Sequence, residues 1–399
     1  MGMGESRDLV QWQAADTAAW RLPPVVAAAL QRLRQAGEMA YVVGGAVRDL
    51  YWGRTPEDWD LVTSAPPDRV LALFPGAVAP GLRFGTVRIP GGVEVTTMRE
   101  EGDYADRRRP GRVRFTRVLG RDLARRDFTL NAVVWDGASR LGGPPGALED
   151  LAARRLRAVG DPRRRFREDA LRVLRLARLA GVYNLTIDAA TFEAAWAERT
   201  GLLAVSRERR LAEAGRLAQG PARGWRLLGA LGLAFALEWP GRWPRALAPD
   251  GAGPGLALFL LARAYGLEGG AGAAWVARWP LPRTWRRAWV AAFSGPDPWQ
   301  TDAGTLACRC RAGGPDAGLW REWAVLQGWA RAGDPAWEPV TPALDGRTVA
   351  TLTGLEGPEL GRVLAAMRRW VVCHPADNRP EVLAAGLRPG CGWCPPERE

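Results

Sequence analysis

The sequence predicts an α+β protein, a mixed-sheet head followed by a remainder that is all helix. Three observations carry this. Short β-branched runs and one clear hairpin fall before Gly160. Helical spacing takes over after Asp161. The composition, 47% hydrophobic and 25% charged, is that of an ordinary globular chain.

Residues 1–24 carry little pattern and read as a leader, without the apolar run of a signal peptide. Val25–Ala36 has helical spacing, with Gly37 to stop it. Met39–Val43 reads as a short buried strand running into Gly44-Gly45, and Ala46–Trp52 as a short helix ended by Gly53. Trp59–Thr63 is a second strand and Pro67–Phe74 a short helix. Within Thr86–Met98, Val87-Arg88-Ile89 and Val93-Glu94-Val95-Thr96 flank a Pro90-Gly91-Gly92 turn, which is hairpin chemistry. Arg99–Arg112 is an arginine-rich loop, too polar to pack; a strand at Arg112–Phe115 and a helical segment through Asn131 follow.

Beyond Asp161, Phe166, Ala170, Leu171, Leu174 and Ala177 give one face of a single helix over Arg165–Leu179, closed by Gly181. Breaks near 220, 240–255, 265–282 and 312–316 cut the rest into helical pieces. The expected organisation is a leader (1–24), a head (25–160) and helical segments 161–225, 226–335 and 336–399. Twenty tryptophans cluster towards the second half; most are expected in cores, and a minority could stack on bases.

The net charge of +12 and pI near 10.6 suit a phosphate-rich partner. There is no lysine, so all 55 cationic side chains are arginine, a replacement that reads as mutational bias rather than function. The apolar stretches Leu227–Ala236 and Gly255–Ala262 are too short to span a bilayer, so no membrane partner is expected. Five cysteines, an odd count in a large chain, argue against a disulfide framework and point to the cytoplasm.

Chemistry concentrates in Gly44-Gly45-Ala46-Val47-Arg48-Asp49 and Asp58-Trp59-Asp60. Asp58 and Asp60, two apart on a strand, point to one face. Carboxylates held so close repel unless a dication lies between them, and hard oxygen donors select Mg²⁺. A Gly-Gly turn feeding a helix lets the backbone approach a phosphate, and Arg48 could clamp a triphosphate. Glu94, on the hairpin, is either a third carboxylate (general base or second-metal ligand) or a solvent-facing strand residue.

These motifs resemble the active-site signature of class II CCA-adding enzymes and bacterial poly(A) polymerases, a tRNA nucleotidyltransferase family. Others follow in order. Glu94-Val95-Thr96-Thr97-Met98-Arg99 is similar to the strand bearing the family's third carboxylate. Tyr104-Ala105-Asp106-Arg107-Arg108-Arg109-Pro110 resembles its flexible basic loop. Arg125-Arg126-Asp127-Phe128-Thr129-Leu130-Asn131-Ala132 resembles the ribose-recognising motif. Gly160-Asp161-Pro162 and Arg167-Glu168-Asp169-Ala170-Leu171-Arg172 resemble the neck motifs. The match is close from about Tyr41 to Gly181, fainter to Gly220, and weak at Leu344-Asp345-Gly346 and Gly357-Pro358-Glu359-Leu360-Gly361.

The resemblance implies a nucleotidyltransferase head followed by an elongated helical neck (161–225), body (226–335) and tail (336–399). It implies addition of CCA, from CTP and ATP, to the 3′ end of tRNA, whose acceptor arm the helical half would hold. Asp58 and Asp60 would hold Mg²⁺. Gly44, Gly45, Arg48 and Arg126 would meet the nucleotide phosphates, and Asp127 the ribose 2′-hydroxyl. Asp169 and Arg172, three apart on a helix, would together read C or A; without the resemblance they are an i,i+3 surface ion pair. Arg175 and Arg178 would steer triphosphate, or else form a solvated arginine stripe.

Within this class the rivals are an A-adding or CC-adding specialist and a poly(A) polymerase. The intact Glu100–Pro110 loop disfavours CC-only addition, and the lack of a long basic extension disfavours the polymerase. A silent tRNA-binding protein would not need the carboxylates, and a small-molecule nucleotidyltransferase would not need the +12 charge. Cys308-x-Cys310, Cys373-His374 and Cys391-x-x-Cys394 follow no standard zinc spacing and read as free thiols. A single histidine, His374, excludes a histidine-aspartate phosphohydrolase centre.

Overall fold

The protein is described from a computed structural model, which covers residues 9–102, 113–241, 244, 252–295, 301–327, 330, 338–388 and 392–393. Its contacts divide it into two compact units: residues 1–213 with 226–236, and 214–225 with 237–399. The division does not fall at residue 160, where the head was expected to end.

The first unit is built on one mixed sheet. In chain order it opens with β1 (Gln11–Ala14), α1 (Pro24–Gln35), β2 (Ala40–Val43), α2 (Gly45–Tyr51), β3 (Asp60–Thr63) and α3 (Pro67–Leu73). β4 (Val78–Gly81), β5 (Thr86–Arg88), β6 (Glu94–Thr97), β7 (Arg99–Glu101) and β8 (Val113–Phe115) follow. Then come α4 (Leu119–Ala124), β9 (Val134–Trp135), β10 (Arg140–Gly143), α5 (Ala147–Ala152) and β11 (Arg155–Leu156). The strand order is β1-β10-β9-β2-β3-β6-β5-β4, and within this sheet, among the described residues, only β3 and β6 run parallel. The hydrophobic run of β2 and β3 suits central strands. Val26, Ala29, Leu30 and Leu33 form the buried stripe of α1, the spacing that predicted it.

The structure departs from the sequence reading in four places here. The leader is not patternless, because Gln11–Ala14 pairs with β10 at the sheet edge. β3 begins at Asp60, so Asp58 lies in the extended lead-in rather than on the strand. Arg99–Glu101 is a strand paired with β8, since a two-stranded ribbon satisfies backbone groups without burying its polar side chains; residues 103–112 lie outside the described residues. The helical segment expected through Asn131 stops at Ala124 and resumes only as a 3₁₀ turn at Thr129–Asn131.

The remainder of this unit is helical. α6 (Pro162–Glu168) and α7 (Leu171–Val182) replace the single helix expected over Arg165–Leu179. Asp169 interrupts it with extended backbone, φ −146° and ψ 101°. β12 (Thr186–Ile187) pairs with β11, and α8 (Ala189–Glu198) and α9 (Arg207–Ala218) follow. α10 (Ala222–Ala230) leads towards the second unit.

In the second unit, α11 (Pro254–Ala264) is buried from Leu256 to Ala264 and forms its core. α13 (Arg283–Phe293) and α15 (Ala317–Leu326) pack against it, with α12 (Gly269–Arg278) on α13 and α14 (Ala303–Arg311) on α15. The Phe259 ring of α11 lies 5.6, 4.9 and 5.9 Å from those of Trp289, Phe293 and Trp320. Trp225, Trp275, Trp279, Trp289 and Trp320 are fully buried, as most tryptophans were expected to be. α16 (Gly346–Thr353), α17 (Gly357–Cys373) and α18 (Pro380–Ala385) enclose a smaller cluster around Val349, Met367 and Val371. A two-stranded ribbon of β13 (Leu387–Arg388) and β14 (Gly392–Trp393) closes the described chain. Cys308 and Cys310 lie on α14; burial pushes the Cys310 thiol up to about 11, so it behaves as an inert core group. Cys391 and Cys394 lie outside the described residues. No helix among the described residues is long and apolar enough to cross a membrane.

The break expected over 265–282 is in part wrong, because its glycine-rich stretch is α12. Packing overrides propensity there: a β-carbon on Gly272 would lie 2.3 Å from Cγ of Phe293, so glycine lets α13 approach. Gly272→Ala is expected to cost about 1–3 kcal/mol in urea denaturation followed by tryptophan fluorescence. Gly270→Ala, where a β-carbon meets nothing within 4 Å, is expected to stabilise by roughly 0.5 kcal/mol.

Candidate active site

Sheet register brings the first motifs together. Val43 at the end of β2 pairs with Asp60, and Asp60 in turn pairs with Glu94 at the start of β6. Gly44 follows Val43 with φ 80° and ψ −133°, a conformation open essentially to glycine alone, and its N–H donates to the Val133 carbonyl at 3.1 Å. The Gly44-Gly45 turn, Asp58, Asp60 and Glu94 therefore share one end of the central strands.

Asp60 reaches solvent, yet the protein crowding round it raises its carboxyl above the usual range. The charges of Glu94 and Asp58 push the same way, and Arg126 opposes them. Mutual repulsion of this kind is what a bound dication relieves, so the Asp58 and Asp60 oxygens fit a hard metal ion. Glu94 is turned to Arg88 at 2.6 Å and half-exposed. Among the described residues no three acidic, histidine or cysteine side chains form a metal-binding group.

Behind the carboxylates stands a fixed arginine layer. Asp122, fully buried, accepts from Arg125 Nη2 at 2.7 Å and from Arg126 Nη2 at 3.2 Å. Burial alone would raise its carboxyl; Arg125 and Arg126 hold it below the usual range. Asn131 is the hub. Its Oδ1 accepts from Arg48 Nη1 at 2.8 Å, its Nδ2 donates to Asp127 at 3.2 Å, and its carbonyl accepts from Arg126 at 3.5 Å. Arg48 is only 5% exposed and also donates to Asp49 and to the Tyr183 hydroxyl, while its guanidinium lies 3.9 Å from that ring's centroid. It is a locked structural group rather than a free clamp.

Asp127 lies beside Arg126 and is tied across to α7. Its Oδ1 accepts from the Phe128 N–H (2.8 Å) and from Asn131; its Oδ2 accepts from Arg175 Nε at 2.8 Å, with Arg175 Nη2 at 2.6 Å. Burial alone would raise this carboxyl, but Arg175 and then Arg172 hold it well below the usual range. The Asp127 charge in turn raises Arg175.

Two sequence readings change at α7. Asp169 and Arg172 are not neighbours on one helical face, because Asp169 sits in the extended break. Asp169 is clasped by Arg209 of α9, at 3.2 and 2.7 Å. Arg172 is buried and donates to Glu168 (3.0 Å) and to the carbonyls of Arg165 (2.8 Å) and Arg125 (3.0 Å). Arg175 and Arg178 form no solvated stripe: they pair with Asp127 and with the buried Glu213. The residues missed were Asp122, Asn131, Tyr183 and Arg209. Asn131, four residues beyond Asp127 in the same motif, was the one with a readable signal.

The Asp127–Arg175 pair yields a pH prediction. A carboxyl held low in the folded state adds stability that is complete above its unfolded pKa near 4 and is lost as pH falls towards the folded value. Arg175→Gln is expected to lower stability by about 2–3 kcal/mol at pH 7, allowing for solvent reaching Arg175. The gap to the parent should narrow steadily as denaturation is repeated from pH 5 down to pH 2.

Residues 40–157 match the poly A polymerase head domain family. A CCA-adding enzyme of Geobacillus sp. (strain WCH70) is 46% identical over 196 residues, 48% of this chain and 48% of its own length. That of Geobacillus thermodenitrificans (strain NG80-2) is 41% identical over 227 residues, 55% of this chain and 56% of its own. The chain thus aligns with about half the length of these curated relatives. The fold is similar over 91% of this chain to a crystal structure of the Bacillus stearothermophilus CCA-adding enzyme in complex with CTP, covering 97% of that chain at TM-score 0.70 and 29% identity. The glycine turn, the paired aspartates and the Arg126-Asp127 motif thus lie within the stretch that matches the poly A polymerase head domain, and the chain is similar to CCA-adding enzymes.

Proposed function

We propose that this protein adds CCA, from CTP and ATP, to the 3′ end of tRNA, releasing pyrophosphate. The observation that carries the reading is the shared sheet end, where Asp58 and Asp60 lie beside Gly44-Gly45 and the fixed Arg126. The relatives named above carry the name CCA-adding enzyme, and the similar structure was solved with CTP.

In this reading residues 25–160 are the catalytic head, 161–225 the neck that reads the base, and 226–335 and 336–399 the body and tail that hold the tRNA acceptor arm. The +12 charge favours that partner, and tRNA maturation makes the cytoplasm its place of work. Asp58 and Asp60 would hold Mg²⁺, which supplies charge neutralisation at the transferred phosphate. Gly44 and Gly45 offer bare backbone for close approach of the triphosphate, and Arg126, held by Asp122, presents a preorganised positive charge there. Arg48 acts one step back, fixing Asn131 and the turn. Asp127 has all its lone pairs engaged, so a ribose 2′-hydroxyl would take one only when an Arg175 bond yields. Glu94, paired with Arg88, adds its charge against Asp60 and, as the third carboxylate of this sheet end, would serve as general base or complete a second metal site.

Incorporation of each labelled nucleotide into tRNA ending at the discriminator base, at C or at CC tests this. CTP should extend the first two, ATP should complete the third, and extension should then stop. ATP use on CC ends alone would assign an A-adding specialist, CTP use alone a CC-adding one, and open-ended A tails a poly(A) polymerase. No incorporation would leave a tRNA-binding protein.

Asp60→Asn should lower incorporation by at least about 100-fold. A carboxyl raised in the folded state costs stability above its pKa, so the variant should melt higher than the metal-free parent at pH 7 and lose that advantage on acidification. Mg²⁺ should raise the melting temperature of the parent more than that of the variant.

A further inference from the structure

We infer that Arg209 is a positioning residue for base selection, one that leaves Asp169 a single free acceptor; this rests on the reading of Asp169 and Arg172 as the base-recognising pair. An ionised carboxylate has about four lone-pair directions. At Asp169, Oδ1 accepts from the Leu171 N–H (3.1 Å) and from Arg209 Nη1 (3.2 Å), and Oδ2 accepts from Arg209 Nη2 (2.7 Å). One direction on Oδ2 remains. Arg172 is pruned in the same way. Nη1 is spent on the Arg165 carbonyl and Glu168, and Nη2 gives one proton to the Arg125 carbonyl. What remains is Nε–H and one Nη2–H.

The pair is thereby reduced to one acceptor and two donors. Cytosine offers an exocyclic amine with a ring nitrogen and a carbonyl as acceptors, and adenine an amine with a ring nitrogen. Both satisfy that edge. Uracil and guanine present a carbonyl where the amine would be and a ring N–H where the acceptor would be, and they leave it unpaired. Such a mismatch is costly in a buried site.

The local backbone holds Asp169, between α6 and α7, at one point only, the Leu171 N–H on Oδ1. The bidentate clasp of Arg209, 27% exposed against 18% for Asp169, supplies the constraint. Without it the carboxylate can turn and accept a ring N–H, which admits uracil and guanine.

The test measures kcat/KM for CTP and UTP on tRNA ending at the discriminator base, and for ATP and GTP on tRNA ending in CC. The proteins are the parent, Arg209→Gln, Arg209→Lys and, as reference, Asp169→Asn. The CTP-to-UTP and ATP-to-GTP ratios are expected to fall about tenfold or more in Arg209→Gln. In Arg209→Lys they should fall by less, since an ammonium keeps the charge without the two-point clasp. A merely structural role would lower all four values together and leave the ratios unchanged. Unchanged ratios in a folded Arg209→Gln protein, with Asp169→Asn losing selectivity, would overturn the role of Arg209 alone. Unchanged ratios in Asp169→Asn would remove the base-reading assignment itself and the proposal with it. Should Arg209→Gln not fold, the ratios of Arg209→Lys decide.

Discussion

The arrangement rests on one constraint: each carboxylate buried in the first unit must be met by arginine, because an unpaired buried charge costs several kcal/mol. Asp122 takes Arg125 and Arg126, Asp127 takes Arg175, and Glu168 takes Arg164, Arg165 and Arg172. Asp169 takes Arg209 and Glu213 takes Arg178. Of the arginines so fixed, Arg126 stands beside Asp60. A guanidinium already oriented loses little freedom when it meets a phosphate or a base, and that is the physical meaning of preorganisation here.

The two carboxylates at the front of the site obey the opposite rule. At Asp60, burial and the charges of Glu94 and Asp58 outweigh the opposing charge of Arg126, and its carboxyl is raised. That repulsion is of the kind a bound dication would relieve, while the carboxylates behind it are met by arginine.

The fold serves this contrast through sheet register. Two antiparallel pairings and one parallel pairing bring the ends of β2, β9, β3 and β6 together. A slip of one residue would turn Asp60 to the other face. Asn131 couples the layers, accepting from Arg48 and Arg126 while donating to Asp127. Arg48 and Tyr183 then tie α2 to the end of α7.

The sequence alone determined the α+β class, the hairpin, the glycine turn and the aspartates of the sheet end, because these depend on local spacing and turn chemistry. Periodicity cannot see what decided the rest. It ran one helix through Asp169, where a backbone break and the Arg209 clasp, 40 residues away in sequence, place the carboxylate. It left Arg175 and Arg178 free along α7, to steer triphosphate or form a solvated stripe, where Asp127 and Glu213 from distant elements claim them. It counted the glycines before Trp275 as a break, where contact with Phe293 makes a helix. In each case the deciding energy is a contact between residues far apart in the chain, and only tertiary structure can say which arginine meets which carboxylate.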